Sequence, residues 1–243
     1  MPNRKEALRA TAGREAWVRS LRRVNELQED ALAPVFDERW GEIEDGHRAF
    51  VERFLSLLPR DGRVLDAACG TGKYFSIVLD SERSLCGVDH SGAYLARARV
   101  KYPSVATEKH DLQDIPYTSE FDGVMCVDAM EFVPPEDWPR ILTRFRRALR
   151  PEAWLYLTIE LVPEAQVQAL NDAARRWGHP VVAREVLWDE PDGPLYHHYP
   201  AMAQVRTWLT AAGFSIQGDV EGPWHDDDHA YHHILAVARE SGR

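Results

Sequence analysis

Five carboxylates stand at the ends of apolar runs or just beyond them: Asp66 in "RVLDAA", Asp89 in "SLCGVD", Asp111 in "HDLQDIPY", Asp128 in "FDGVMCVD" and Glu160 in "WLYLTIE". Each is a hydrogen-bond acceptor, and the repetition carries more weight than any one position. After Asp66 the chain crosses small residues and two glycines, "DAACGTGKYF", before it turns amphipathic. That is a strand running through a tight turn into a helix, where backbone N–H groups can approach a ligand closely. A phosphate loop does not fit. Ala67 stands where the first glycine of GxxxxGK[ST] belongs, and Tyr74 where Ser or Thr would reach magnesium. A dinucleotide turn fits poorly, because GxGxxG starts at Gly70 and Gly72 but meets Phe75 at its third glycine.

The elements that must position these residues alternate. Strands are expected at 63–68, 84–89, about 105–110, 121–128 and 154–160. Ser91 is placed to cap a helix that carries Tyr94, Leu95 and Ala98 on one face. Trp138, Ile141, Leu142, Phe145, Ala148 and Leu149 recur at steps of three and four, with Pro151 after the stop. Met202, Val205, Trp208, Leu209 and Ala212 form another helical stripe ended by Gly213, and strands at 214–220 and 232–238 close the chain. Such alternation builds a doubly wound α/β sheet that binds ligands at the carboxyl ends of its strands. Residues 15–58 look helical, with Phe50, Val51, Phe54, Leu55 and Leu58 on one stripe. Residues 161–200 form an insertion: a helix over about 163–177, then the aromatic, Pro-rich "WDEPDGPLYHHYP".

Composition narrows the function. The 243 residues suit one large α/β domain with additions. Lys plus Arg is 29 against 39 Asp plus Glu, a formal charge of −10 and the wrong balance for gripping a nucleic-acid backbone. The basic run Arg4, Lys5, Arg9, Arg14, Arg19, Arg22 and Arg23 reads as a solvated helix face or a frayed arm. No apolar run approaches the roughly 20 residues of a membrane span, and no apolar segment follows the basic start as in a secretory signal. Cys69, Cys86 and Cys126, odd in number and without metal-like spacing, read as reduced, buried thiols. The expectation is a cytoplasmic protein, monomer or homodimer, with no membrane, nucleic-acid or metal partner.

The order of these segments resembles the class I S-adenosylmethionine-dependent methyltransferases, over residues 60–160 closely and 201–238 loosely. Their first motif, an acidic residue followed by x-G-x-G-x-G, reads here as Asp66, Ala67, Ala68, Cys69, Gly70, Thr71, Gly72, with Ala68 in place of the first glycine. The resemblance implies a seven-stranded, mainly parallel, doubly wound sheet with an antiparallel last strand. Residues 1–58 would form a helical cap, and residues 59–243 the Rossmann-like catalytic domain, with 161–200 on the substrate side. It also implies S-adenosyl-L-methionine as cofactor. The turn Asp66, Ala68, Gly70 and Gly72 would pack against its methionine portion, Asp89 with adjacent His90 would hold the ribose, and Asp111 and Leu112 would lie at the adenine. Asp128 would sit beneath the methionine and acceptor, and a lid would bring Trp40 and Phe36 over the cofactor, unless the two pack in the cap's own core. On this view Gly72→Val abolishes cofactor binding and leaves the chain folded.

The implied reaction is methyl transfer to an oxygen or nitrogen of a small-molecule acceptor, because [DNS]PP[YF] is absent and the chain is acidic. In-line transfer from a sulfonium depends chiefly on alignment, and a base helps only where the acceptor must lose a proton. The candidates are Glu131, which can orient an amine or hydroxyl, and His197, His198, His232 and His233. His232 and His233 are adjacent on a strand, so at most one points inward. The segments 196–199 and 225–233 are expected to meet over the pocket. The spacing of His225, Asp227, Asp228 and His229 matches no defined metal site. A noncatalytic module that keeps the nucleoside pocket, and an NAD-dependent oxidoreductase disfavoured by Phe75, are the competing readings.

Overall fold

The computed structural model describes residues 13–190, 194–222 and 230–239. Seven strands form one sheet: β1 (Arg63–Ala67), β2 (Ser84–Asp89), β3 (Ala106–Lys109), β4 (Phe121–Cys126), β5 (Leu149–Leu161), β8 (Phe214–Glu221) and β9 (Ala230–Ala238). Their spatial order is β3-β2-β1-β4-β5-β9-β8. The first five pair in parallel, and β9 runs antiparallel to both β5 and β8. This is the doubly wound sheet with an antiparallel last strand that the sequence leads one to expect. The switch in strand order falls between β1 and β4, and it places Asp66, Asp89, Asp128 and Glu160 toward one edge.

Both faces of the sheet are covered, which is why β4 reads as a nearly unbroken apolar run: Phe121, Val124, Met125 and Cys126 are fully buried. Three helices precede the sheet: α1 (Arg14–Leu32), α2 (Phe36–Trp40) and α3 (Asp45–Ser56). Then follow α4 (Phe75–Asp80), α5 (Gly92–Lys101), α6 (Trp138–Ala148), α7 (Glu164–Arg176) and α8 (Met202–Ala211). On one face α6 buries Trp138, Ile141, Leu142 and Phe145 beside Val205 and Leu209 of α8. On the other, α3 contributes Val51, Phe54 and Leu55, next to Phe75 and Val78 of α4 and Leu95 of α5. Ser91 caps α5 by accepting from the Tyr94 N–H at 3.1 Å. The three cysteines are buried and form no disulfide.

Two regions depart from the expectation. The 15–58 stretch is three helices, and they serve different cores. While α3 belongs to the sheet, α1 packs Trp17, Leu21 and Val24 against Ala174, Leu187 and Tyr196 of the insertion. The insertion itself contains, after α7, a two-stranded antiparallel hairpin, β6 (Glu185–Trp188) with β7 (Leu195–His198). Its residues 195–198 were legible only as aromatic and polar. Arg4, Lys5 and Arg9 of the basic run lie outside the described residues, and the rest is not a purely solvated face. Arg14 donates to Glu136 and to the fully buried Glu185, and Arg22 to Asp137, so these guanidiniums tie α1 to the body.

Phe75 explains why the glycine turn departs from the dinucleotide pattern. Its ring fills a slot between two glycines: a Cβ on Gly87 would lie 2.6 Å from Phe75 Cζ and 2.8 Å from Cys69 Sγ, and one on Gly72 would lie 2.8 Å from Phe75 Cδ2. Gly87→Ala is therefore expected to destabilise the chain by about 1–3 kcal/mol through overpacking. Urea denaturation measures this, and adding Phe75→Leu to Gly87→Ala should recover part of the loss. An unchanged midpoint for Gly87→Ala would contradict the packing described.

Candidate active site

The turn after β1 is held in a left-handed backbone at three places: Ala68 (φ 65°), Gly70 (φ 54°) and Gly72 (φ 81°). At Ala68 an L-residue bears that conformation at a cost of roughly 1–2 kcal/mol. The cost is met by bonds that fix the turn. Cys69 N–H donates to Val88 O at 2.9 Å, and Gly70 N–H donates to Asp89 Oδ2 at 2.8 Å. The other Asp89 oxygen accepts from Ser91 N–H at 2.8 Å. These use two of the roughly four acceptor positions of a carboxylate, leaving capacity for two hydroxyls. A Cβ on Gly70 would meet nothing within 4 Å, so the turn has open space on that side. Gly72 behaves differently from expectation. The space beside it belongs to Phe75, so Gly72→Val would strike the fold before it touched a ligand.

Asp66 lies beneath this turn, 1% exposed, with Oδ2 lacking any hydrogen-bond partner. Burial, and next the Asp89 charge, push it up to about 8. A buried, unpartnered carboxyl under an open left-handed turn fits a ligand that carries an amino group and ribose hydroxyls. S-adenosylmethionine carries both.

The cap closes on this region with acidic residues. Asp30 accepts from Ser91 Oγ at 2.6 Å and Ala93 N–H at 3.1 Å. Asp37 accepts from Thr71 Oγ1, from Lys101 Nζ at 2.8 Å and from Arg97 at 3.3 Å. Glu29 pairs with His90 at 2.5 Å. Burial lowers the His90 imidazole, but the Glu29 bond and charge outweigh it and hold it up at about 9. Ligand atoms of Glu29, Asp89 and His90 lie within 4.8 Å of one another, and the Glu29–His90 pair and the two backbone donors on Asp89 already account for that arrangement. Trp40 is 45% exposed and tilts against Phe36 at 5.5 Å, while Phe36 leans on Tyr94 of α5 at 4.8 Å. The two aromatics are thus set over the start of α5 and form no core of their own. Asp111 precedes a single 3₁₀ turn that begins at Leu112, and with His90, Arg22 and Lys109 it lines a groove of about 510 Å³.

At the ends of β4 and β5 a second group gathers. Asp128, exposed and at φ 56°, donates its N–H to Thr158 Oγ1 at 2.8 Å and accepts from Tyr231 OH at 2.5 Å. Glu131 is 5% exposed, with Oε2 unpartnered. Burial, followed by the charges of Asp128 and Glu160, pushes its carboxyl well above the usual range. Glu160 sits opposite Tyr231 in the β5–β9 register and 3.8 Å from His197 Nδ1.

The histidines separate. His197 reaches the acidic group, bonded to Tyr199 OH and edge-on to Phe132 at 4.7 Å. Its neighbour His198 points the other way, between Trp138 and Trp208 at 6.2 and 6.3 Å, where burial holds it down at about 4. His232 pairs with Asp219 of β8 on the face away from His233. His233 stacks on Phe50 at 3.9 Å with Nδ1 2.9 Å from Tyr156 OH, and burial and then His47 hold it down at about 3. Thus His198 and His232 are corrections: strand alternation turns both away from the acidic group. The segments 196–199 and 230–233 do converge, with His197 and Tyr231 both on Glu160, while His225 and His229 lie outside the described residues. Tyr199, Tyr231, Glu29 and His47 were not singled out from the sequence. His47, 4.5 Å from the Tyr231 ring and bonded to Tyr74 OH, had a usable signal, since it falls three residues before Phe50 on the α3 stripe.

Residues 64–152 match the family model described as a methyltransferase domain. The trans-aconitate 2-methyltransferase of Variovorax paradoxus is 28% identical over 170 residues, covering 63% of this chain and 62% of that protein. The dTDP-3-amino-3,6-dideoxy-alpha-D-glucopyranose N,N-dimethyltransferase of Streptomyces fradiae is 25% identical over 190 residues, 68% of this chain and 74% of that one. Among solved structures, the 1,6-didemethyltoxoflavin-N1-methyltransferase of Burkholderia thailandensis, described with its acceptor and S-adenosylhomocysteine bound, superposes with a TM-score of 0.63 at 17% identity, covering 90% of each chain. The chain thus spans a little over three fifths of the trans-aconitate relative. Residues 64–152 thus match a methyltransferase domain, and the seven-stranded sheet around them has the fold of the solved methyltransferases it superposes on.

Two outcomes are expected. Asp89→Ala should weaken S-adenosylhomocysteine binding by roughly 1.5–3 kcal/mol per charge-assisted bond lost, about tenfold or more by calorimetry. Asp89→Asn, which keeps one acceptor oxygen, should retain more of the turn. Asp66 is raised above its unfolded value, so its contribution to stability is fully present below about pH 4 and is lost as pH rises through about 8. Thermal melts across that window should therefore fall less for Asp66→Asn than for the wild type. Parallel curves would refute the assignment.

Proposed function

We propose that this chain transfers the methyl group of S-adenosyl-L-methionine to an oxygen or nitrogen of a small-molecule acceptor. One observation carries the reading: Asp89 bridges the Gly70 and Ser91 N–H groups with acceptor capacity to spare, and its charge acts on the buried Asp66, whose Oδ2 has no partner. When bound, the sulfonium supplies an activated methyl group and a neutral leaving group. The chain's part is alignment. Asp89 would orient the ribose hydroxyls, Asp66 and the Ala68–Gly72 turn the amino-acid portion, and Asp111 with Leu112 the adenine.

The acceptor would enter beside Asp128 and Glu131, under the insertion. Glu131 and His197 are the groups placed to orient it or take its proton, and His233, packed beneath Phe50, would support that wall. Closure of α1 and α2 would exclude water. The relatives named above include methyltransferases whose names specify a carboxylic acid, an amino sugar and a heterocycle, all small molecules. That range supports a small acceptor and leaves its chemistry to this chain's own pocket. No helix among the described residues is long and apolar enough to cross a membrane.

The discriminating experiment is a thermal-shift titration with S-adenosylhomocysteine and, separately, NAD. S-adenosylhomocysteine should raise the melting temperature, by about 2.7 kcal/mol of stabilisation at a hundred times its Kd, and NAD should not. Turnover with a methyl-labelled donor against a metabolite set then separates an enzyme from a noncatalytic module. A shift with NAD alone would overturn the proposal.

A further inference from the structure

The acceptor end of the cleft is unusual in its charge. Asp128 and Glu160 both act on Glu131 there, and all three bear on the Tyr231 hydroxyl. Among the described residues, neither Asp128 nor Glu131 has a lysine or arginine partner. The basic side chains nearest in sequence are committed elsewhere, Arg140 to Asp114 and Arg150 to Asp122. The group is not a solvated acidic patch. Glu131 is 95% buried by its 5% exposure, and its Oε2 lacks a partner. Leaving a buried carboxyl oxygen unmatched is costly unless a ligand matches it. Around it stand aromatic faces and hydroxyls: Phe132 edge-on to His197, Tyr199 bonded to His197 and Trp188, and Tyr231 bonded to Asp128.

We propose that this end of the site selects a basic amine, bound as its ammonium ion, as the methyl acceptor. The inference rests on the methyltransferase reading and narrows its oxygen-or-nitrogen alternative. An anionic acceptor would face Asp128 and Glu131, which have no lysine or arginine partner among the described residues, and a hydroxyl would leave their charge unmatched once both are ionised. An ammonium ion satisfies both needs. Its N–H groups donate to Glu131 Oε2 and the neighbouring carboxylates, and its charge favours the aromatic faces. The proton that burial keeps on Glu131 in the empty site leaves as the cation enters. In the transfer step one ammonium proton passes to Glu131 Oε2, which frees the nitrogen lone pair. The nitrogen–carbon bond forms as the sulfur–carbon bond breaks, and that bond's electron pair stays on sulfur. The products are the protonated methylamine, a neutral thioether and a protonated Glu131, so charge and atoms balance. Glu131 touches the acceptor here and is catalytic. Asp128 and Glu160 hold the charge beside it.

The test uses the full chain loaded with S-adenosylhomocysteine. The probes are benzylamine, cyclohexylamine and isobutylamine, each matched by the alcohol and the carboxylate of the same skeleton. Binding is read by saturation-transfer NMR at pH 7.5. At least one amine should bind about tenfold or more tightly than its alcohol and carboxylate counterparts, the scale of one charge-assisted hydrogen bond. Glu131→Gln, which matches the protonated acid in shape, should erase that preference while affinity for S-adenosylhomocysteine stays unchanged. Asp128→Asn, at the exposed lip, should reduce it and serves as the second variant should Glu131→Gln not fold. A tighter alcohol or carboxylate, equal binding across every skeleton, no amine binding to the loaded chain, or a preference that survives Glu131→Gln would each overturn the amine assignment and leave the methyltransferase reading standing. Failure of the wild type to bind S-adenosylhomocysteine would instead overturn the latter.

Discussion

The carboxylate of Asp89 joins two turns that the backbone alone would not hold together. With one oxygen on the Gly70 N–H and the other on the Ser91 N–H, it fixes the loop after β1 against the start of α5. Three left-handed residues, one of them an alanine, depend on that link and on the Cys69–Val88 backbone bond. A charge-assisted bond to a buried carboxylate is worth more than a neutral one, and it offsets strain of the size Ala68 stores. The loop is therefore held in one conformation by contacts within the chain itself.

Around that link the cap is held by charge more than by apolar contact. Asp30 engages the α5 start, Asp37 the glycine turn through Thr71 and the α5 cations, and Glu29 the imidazole of His90. Partly exposed ion pairs contribute little each, so this contact is a weak one. Its other end is anchored differently. Trp17, Leu21 and Val24 bury themselves against the insertion, and Arg14 meets the fully buried Glu185. One helix thus runs from an apolar contact with the insertion to acidic residues set against the start of α5.

The cleft changes character along its length. Around the glycine turn Asp89 has backbone donors and Glu29 an imidazole, whereas at the ends of β4 and β5 Asp128 has a tyrosine hydroxyl, Glu160 the His197 imidazole, and both carboxylates bear on Glu131. Burial sets the consequences. Asp66 and Glu131 both keep their protons well above the usual carboxylate range because desolvation and neighbouring carboxylates act in the same direction. Perturbed groups of this kind, set at the strand ends of an open α/β sheet, are where chemistry is expected.

The local signals were legible in the sequence because they depend on neighbours a few residues away. Ser91 capping α5, the apolar stripe of α6, the Gly213 stop and the unbroken run of β4 each follow from short-range sterics and periodicity. The order of strand-end carboxylates also survives without coordinates, since every parallel strand in such a sheet delivers its carboxyl end to one edge. Tertiary structure alone decided which side chains share that edge. His197 and His198 are equivalent by composition, yet β7 turns one to Glu160 and the other to Trp138 and Trp208. Likewise β9 gives His232 to Asp219 and His233 to Phe50. The fate of each depends on a register fixed by pairing with strands far away in the chain. So does the meeting of Glu160 with Tyr231, and the burial that leaves one oxygen of Glu131 without a partner. Alternation could say that adjacent histidines part, but only packing could say which of them faces the site.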